Sequence, residues 1–192
     1  GLVQFTEAQL GFRPADGDKV VLRSPGGSVT DSRVADGVAR GRCDDWPGRR
    51  LFPASPTPGT ANDFVLTDDV VIHEICYHPP ELAPGGGDKQ WLELHNRGAV
   101  PIDLGGWSFD AGIGFDFPPG TVLAAGGHLV IAGDPASLTL PPGVSALGPW
   151  SGSLAHGGER LLLLDAAGNP ADEVDYLDGG RWPAAADGAG ST

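Results

Sequence analysis

Methionine is absent from the 192 residues, cysteine occurs only twice, and 12 Lys and Arg face 25 Asp and Glu. The shortage of cations leaves a formal net charge of -13, which argues against a sequence-independent electrostatic grip on nucleic acid or anionic lipid. The arginines are scattered. The nearest approach to a cluster, Arg40, Arg42, Arg49 and Arg50, is expected to be solvated loop charge. No apolar run approaches the roughly 20 residues that cross a bilayer as a helix, so no membrane insertion is expected. With neither Met nor a signal-peptide pattern, the chain reads as a processed product or a part of something longer. Two cysteines are too few for a disulfide framework; Cys43 and Cys76 are expected as free thiols, with a bridge between them as the alternative.

Also missing is any segment of helical length with a sustained period near 3.6. What the chain has instead is 31 glycines and 18 prolines, about a quarter of its residues, spread between short apolar or alternating runs. Many turns and few helices follow, and the predicted class is all-β. The clearest strands are VVIHEICYHPP from Val70 and QWLELHN from Gln90. Strict alternation puts Val71, His73, Ile75 and Tyr77 on one face of the first and Val70, Ile72, Glu74, Cys76 and His78 on the other. On the second, Trp91, Glu93 and His95 oppose Leu92 and Leu94. Trp107, Phe109, Phe115 and Phe117 alternate along two further strands and can fill a layer between sheets.

An internal repeat organises the rest. GDKVVLRSPGGSVTDSRV from Gly17 aligns without a gap on GERLLLLDAAGNPADEVD from Gly158, with Gly27 matching Gly168 and Asp31 matching Asp172. Each copy reads as a hairpin whose glycine takes the left-handed turn position. Both are followed by Gly-Arg and Trp-Pro stretches, GRCDDWPG and GGRWPAAADG. A long run of sheet material precedes the second copy but only about sixteen residues precede the first. Residues 1–63 are therefore expected to be the back half of a module, ending in a Pro-rich tether, FPASPTPGTAND, and residues 64–192 a complete one. A half-module of that size buries little apolar surface, so an exposed edge there is the expected sticky surface.

In their order and spacing, VVIHEICYHPP, QWLELHNRGAVPIDLGGWSF, FDFPPGTVLAAGGHLVIA, LAHGGERLLLLDAAGNPADEVDY and RWPAAADGAGS resemble the lamin tail domain of bacterial secreted multidomain proteins, over residues 68–192. The resemblance implies an immunoglobulin-like β-sandwich without catalytic activity. In nuclear lamins the domain is an interaction platform; in bacteria it accompanies hydrolases, nucleases and spore-coat-type kinase domains. The YHPP and GPWSG variants look closest to those beside spore-coat-kinase-like proteins. Two departures are that the family usually continues into a last short strand beyond the position of Thr192, and that His73 stands where Asn is common.

For chemistry, the candidates are Glu74, Cys76 and His78 on one strand with Glu93 and His95 on its neighbour, all zinc-ligand types at alternate positions. The resemblance assigns the two Glu positions to the fold, as hydrogen-bond acceptors near strand ends, and no resident metal is expected. Calcium is weighed for the loop carboxylates Asp16, Asp18, Asp44, Asp45, Asp68, Asp69, Asp110 and Asp116, and set below Asx-type turn bonding. His128 and His156, beside Gly pairs, are expected in loops. No nucleophile elbow, zincin motif, P-loop or dinucleotide fingerprint is present, and a Cys76–His78 pair lacks an orienting third group. The expected role is a non-catalytic extracellular or cell-surface interaction or spacer module. Its expected partners are domains of its parent or a surface protein. The alternative is an accessory domain completing the site of a neighbouring kinase-like or hydrolase domain.

Overall fold

Short β-branched and aromatic runs between Gly and Pro turns give strands of two to eight residues in the computed structural model, which describes residues 3–79 and 89–180. The chain divides into two compact units, Gly1–Val65 and Leu66–Thr192.

Unit 1 opens with a four-residue helix that composition did not announce, α1 (Glu7–Leu10), closed by a capping box between Thr6 and Gln9. A hairpin follows, β1 (Lys19–Arg23) and β2 (Val29–Val34), then a two-residue pair, β3 (Gly41–Arg42) and β4 (Arg50–Leu51). The Pro-rich stretch behind β4 folds back on this unit rather than trailing off: Asn62 Nδ2 donates to the Arg42 carbonyl at 3.2 Å, and Ala54 N–H to Asp63 O at 2.7 Å. The four arginines expected to be solvated are engaged. Arg40 pairs with Asp36 and covers the Phe52 ring, Arg42 and Arg50 share Asp31, and Arg49 lies over Trp46.

Unit 2 contains β5 (Val70–Cys76), β6 (Trp91–Asn96), β7 (Ile102–Asp103), β8 (Ser108–Ala111), β9 (Phe115–Asp116), β10 (Val122–Leu123), β11 (His128–Ala132), β12 (Ala146–Leu147), β13 (Gly158–Leu164) and β14 (Pro170–Leu177). Two four-stranded sheets, in the orders β12-β11-β6-β5 and β14-β13-β8-β9, form an immunoglobulin-like sandwich, with β7 and β10 as a small side pair. Trp107, Phe109 and Phe117 are buried between the sheets and Phe115 packs against them half-buried, as their alternation predicts. Leu92, Leu94 and Ile131 from one sheet meet Leu161, Leu163 and Tyr176 from the other. The Tyr77 and Tyr176 rings meet at 4.8 Å between centroids, their planes tilted by 33°.

Polar side chains tie the loops to this core. Gln90 Nε2 donates to the carbonyls of Tyr77 and Leu154, both at 2.7 Å, and its Oε1 accepts the Leu154 N–H. Asn96, fully buried, donates to Val100 O and Leu123 O and accepts from Gly98 N–H. Trp91 is half-buried on the outer sheet face; Trp182 lies outside the described residues.

The two hairpins of the repeat have the same geometry. Val20 pairs Arg33 as Leu161 pairs Val174, Leu22 pairs Asp31 as Leu163 pairs Asp172, and each ladder shifts register at the same next step. Gly27 and Gly168 take φ of 84° and 82°, and their N–H groups close the same turn bond to Ser24 O and Asp165 O. Their surroundings differ. Leu161 and Leu163 are fully buried, whereas Val20 and Leu22 are 37% and 59% exposed. Asp172 Oδ2 accepts the Ile72 N–H of β5 at 2.7 Å; its counterpart Asp31 is held by the guanidinium groups of Arg50 and Arg42 instead, which keep its carboxyl below the usual range.

Candidate functional site

The first strand does not keep the strict alternation that its sequence suggests. In the ladder between β5 and β6, Ile72 faces Leu94 while the next paired residue, Glu74, faces Glu93, so His73 is an extra residue. A bulge of this kind re-aims a side chain and reverses the phase beyond it. Val70 and Ile72 are consequently buried before it, and half-buried Ile75 and buried Tyr77 turn inward after it. The single face expected for Val70, Ile72, Glu74, Cys76 and His78 is corrected by that insertion.

The bulge swings His73 over β6. Its Nδ1 lies 3.0 Å from Glu93 Oε1. From the other side His128, the first residue of β11 rather than a loop residue, brings its Nδ1 to 2.7 Å from the same oxygen. With both Nδ1 positions protonated, two imidazoles donate to one carboxylate oxygen. His95 lies cross-strand between Val71 and His128. Its ring stacks on that of His128 at 4.3 Å with the planes 4° apart, and the His73 ring meets both edge-on. Three adjacent strands thus place three imidazoles around one carboxylate, none of them part of the apolar core.

The charges respond to that crowding. Partial burial pushes the Glu93 carboxyl up, but the hydrogen bonds from His73 and His128 and their positive charge outweigh it and hold the group below its usual range. His95 is lowered by desolvation and by its two imidazole neighbours, so it resists a second positive charge beside His128. The cluster sets imidazole nitrogens next to a carboxylate, a donor set suited to a cation.

Of the five residues singled out in the sequence, Glu93 and His95 belong to this cluster and three do not. Glu74 faces Glu93 across the ladder but takes no part in the ring contacts, and Cys76 pairs with Trp91. Burial and the Glu74 charge push the Cys76 thiol up, opposite to what a nucleophile needs. His78 stacks on His156 at 4.1 Å, a separate pair. Cys43 and Cys76 are both free. Among the loop carboxylates weighed for calcium, Asp18 accepts the Ala15 N–H, and Asp68 lies 3.9 Å from Arg97. His73 and His128 are the members that sequence reasoning missed: the bulge and the 35-residue separation from Glu93 hide their convergence.

The profile of the lamin tail domain matches residues 66–178. The chain belongs to the lamin tail domain family. That family is a non-catalytic, immunoglobulin-like interaction fold, in keeping with the two-sheet sandwich here. The cluster of His73, Glu93, His95 and His128 lies wholly inside the matched residues, whereas the closing RWPAAADGAGS motif lies outside both the match and the described residues. A search of curated proteins returned no match.

Proposed function

We propose that this lamin tail domain chain is an extracellular interaction and spacer module of a larger bacterial protein. In this reading unit 1 is the back half of a second lamin-tail-like sandwich, which accepts front strands of the same kind. One observation carries it: the β1–β2 hairpin has the register, bulge and turn of β13–β14, but among the described residues it forms a sheet of its own and leaves exposed the positions that correspond to buried Leu161 and Leu163. The face that carries Val20 and Leu22, both exposed, is the surface an arriving sheet would bury. An open groove of about 410 Å3 beside it, lined by Val20, Val34, Arg13, Arg33, Arg40 and Arg50 among others, gives that sheet room. Asp31 marks the landing point of its first strand, because Asp172 uses the same carboxylate position to accept a front-strand N–H. Backbone pairing and pocketed side chains then supply affinity and selectivity.

Supplying front strands tests this directly. With a second copy of residues 66–150 fused ahead of Arg13, the β1–β2 amides should exchange hydrogen as slowly as those of β13–β14. Unchanged fast exchange in β1–β2, with the fused copy itself folded, would contradict the assignment. The accessory role beside a kinase-like or hydrolase domain is the second reading; it draws on the YHPP and GPWSG variants.

A further inference from the structure

We infer that His73, Glu93 and His128 form a binding site for one divalent transition ion of the zinc type on the outer face of the β12-β11-β6-β5 sheet. Each offers a ligand atom, and the three atoms lie within 4.8 Å of one another, the one grouping of three or more such residues among those described. A tetrahedral ion with bonds of about 2.0 to 2.2 Å needs its donors roughly 3.3 to 3.6 Å apart, so small side-chain rotations close the shell. Moving the ring protons to Nε2 turns both Nδ1 lone pairs towards the carboxylate. The ion then replaces the two hydrogen bonds that now hold the trio together.

The donor set selects the ion class. Two imidazole nitrogens and one carboxylate oxygen suit zinc, cobalt, nickel or copper, whereas calcium and magnesium favour all-oxygen shells. The ligands stand on three hydrogen-bonded neighbouring strands, a more rigid frame than a loop. His95, stacked flat on His128, fixes that ring's plane and acts as a positioning residue. His73 and His128 are 44% and 43% exposed while Glu93 is 19% exposed, so the ion enters from solvent. Three protein donors leave a fourth position for water or for a donor group brought by a partner.

Zinc chloride titrated calorimetrically into chelator-stripped, untagged chain should show one site per chain. His73→Ala, His128→Ala and Glu93→Gln should each weaken that site at least about ten-fold, while His156→Ala, in the other imidazole pair, leaves it unchanged. Nitrogen-15 NMR of the unmutated chain guards against misfolded variants: zinc should shift the ring nitrogens of His73 and His128 and spare those of His156. The inference is overturned if zinc does not bind, if the His156 resonances move in place of those of His73 and His128, or if all three ligand variants fold and bind as the parent does.

Discussion

Replacing Trp107 by alanine should lower the unfolding free energy of unit 2 by about 3 to 5 kcal/mol, as for other buried large aromatics truncated in a core. Trp107 is only 4% exposed and lies in the same core cluster as Phe109, Phe117, Leu161 and Leu163. Its backbone is pinned too, the N–H donating to Leu104 O and the carbonyl accepting from Phe117 N–H. The indole cannot swing aside, and truncation leaves a cavity that the two sheets cannot collapse without breaking their ladders. Urea unfolding followed by intrinsic tryptophan fluorescence and by circular dichroism measures the loss. Trp107→Phe, which keeps an apolar ring, should cost less. A loss below about 1 kcal/mol for the alanine variant would remove Trp107 from the core.

A loss of about 2 to 4 kcal/mol is expected for Asn96→Ala, for a different reason. No apolar contact is at stake. The side chain makes three hydrogen bonds in a place with no solvent access, to Val100 O, Leu123 O and Gly98 N–H. Deleting it strands the buried Leu123 carbonyl, which costs about 1 to 3 kcal/mol when left unpaired, and removes the part-buried bonds to Val100 O and Gly98 N–H. Its backbone also joins the β6 end to the turn before β11, through Gly127 O and Gly126 N–H. Asn96→Asp keeps the acceptor for Gly98 but loses both donors, so it should recover little of the loss. If thermal melting of the alanine variant matched the parent, water would have to be replacing the amide and the site would be open.

The sandwich was legible in the sequence because its signals are local. Trp107, Phe109 and Phe117 alternate, Gly27 and Gly168 sit in equivalent turns, and the repeat is gap-free, so strand identity and hairpin register follow from period and turn chemistry. The site was not legible in the same way. One inserted residue at His73 reverses the face of every later residue of β5, and no period-2 reading anticipates it. His128 was hidden by its Gly-Gly neighbour, which reads as a loop signal although the strand begins at the next residue. Glu93 and His95 were picked out, but beside Glu74, Cys76 and His78, whose side chains the bulge and the strand end direct elsewhere. Long-range convergence, as between β5 and β11 on either side of β6, depends on sheet order, and sheet order comes from the tertiary fold.

The different fates of two like hairpins are the centre of this account. Amide hydrogen exchange on the unaltered chain, read residue by residue, compares them within one molecule. β13–β14, covered by a facing sheet, should contain amides that exchange only through global unfolding of unit 2. β1–β2, identical in register but bare on its apolar face, should exchange orders of magnitude faster through local opening. Equal, slow exchange in both hairpins would contradict the account, because it would mean that the first is already covered, against the proposed half-module.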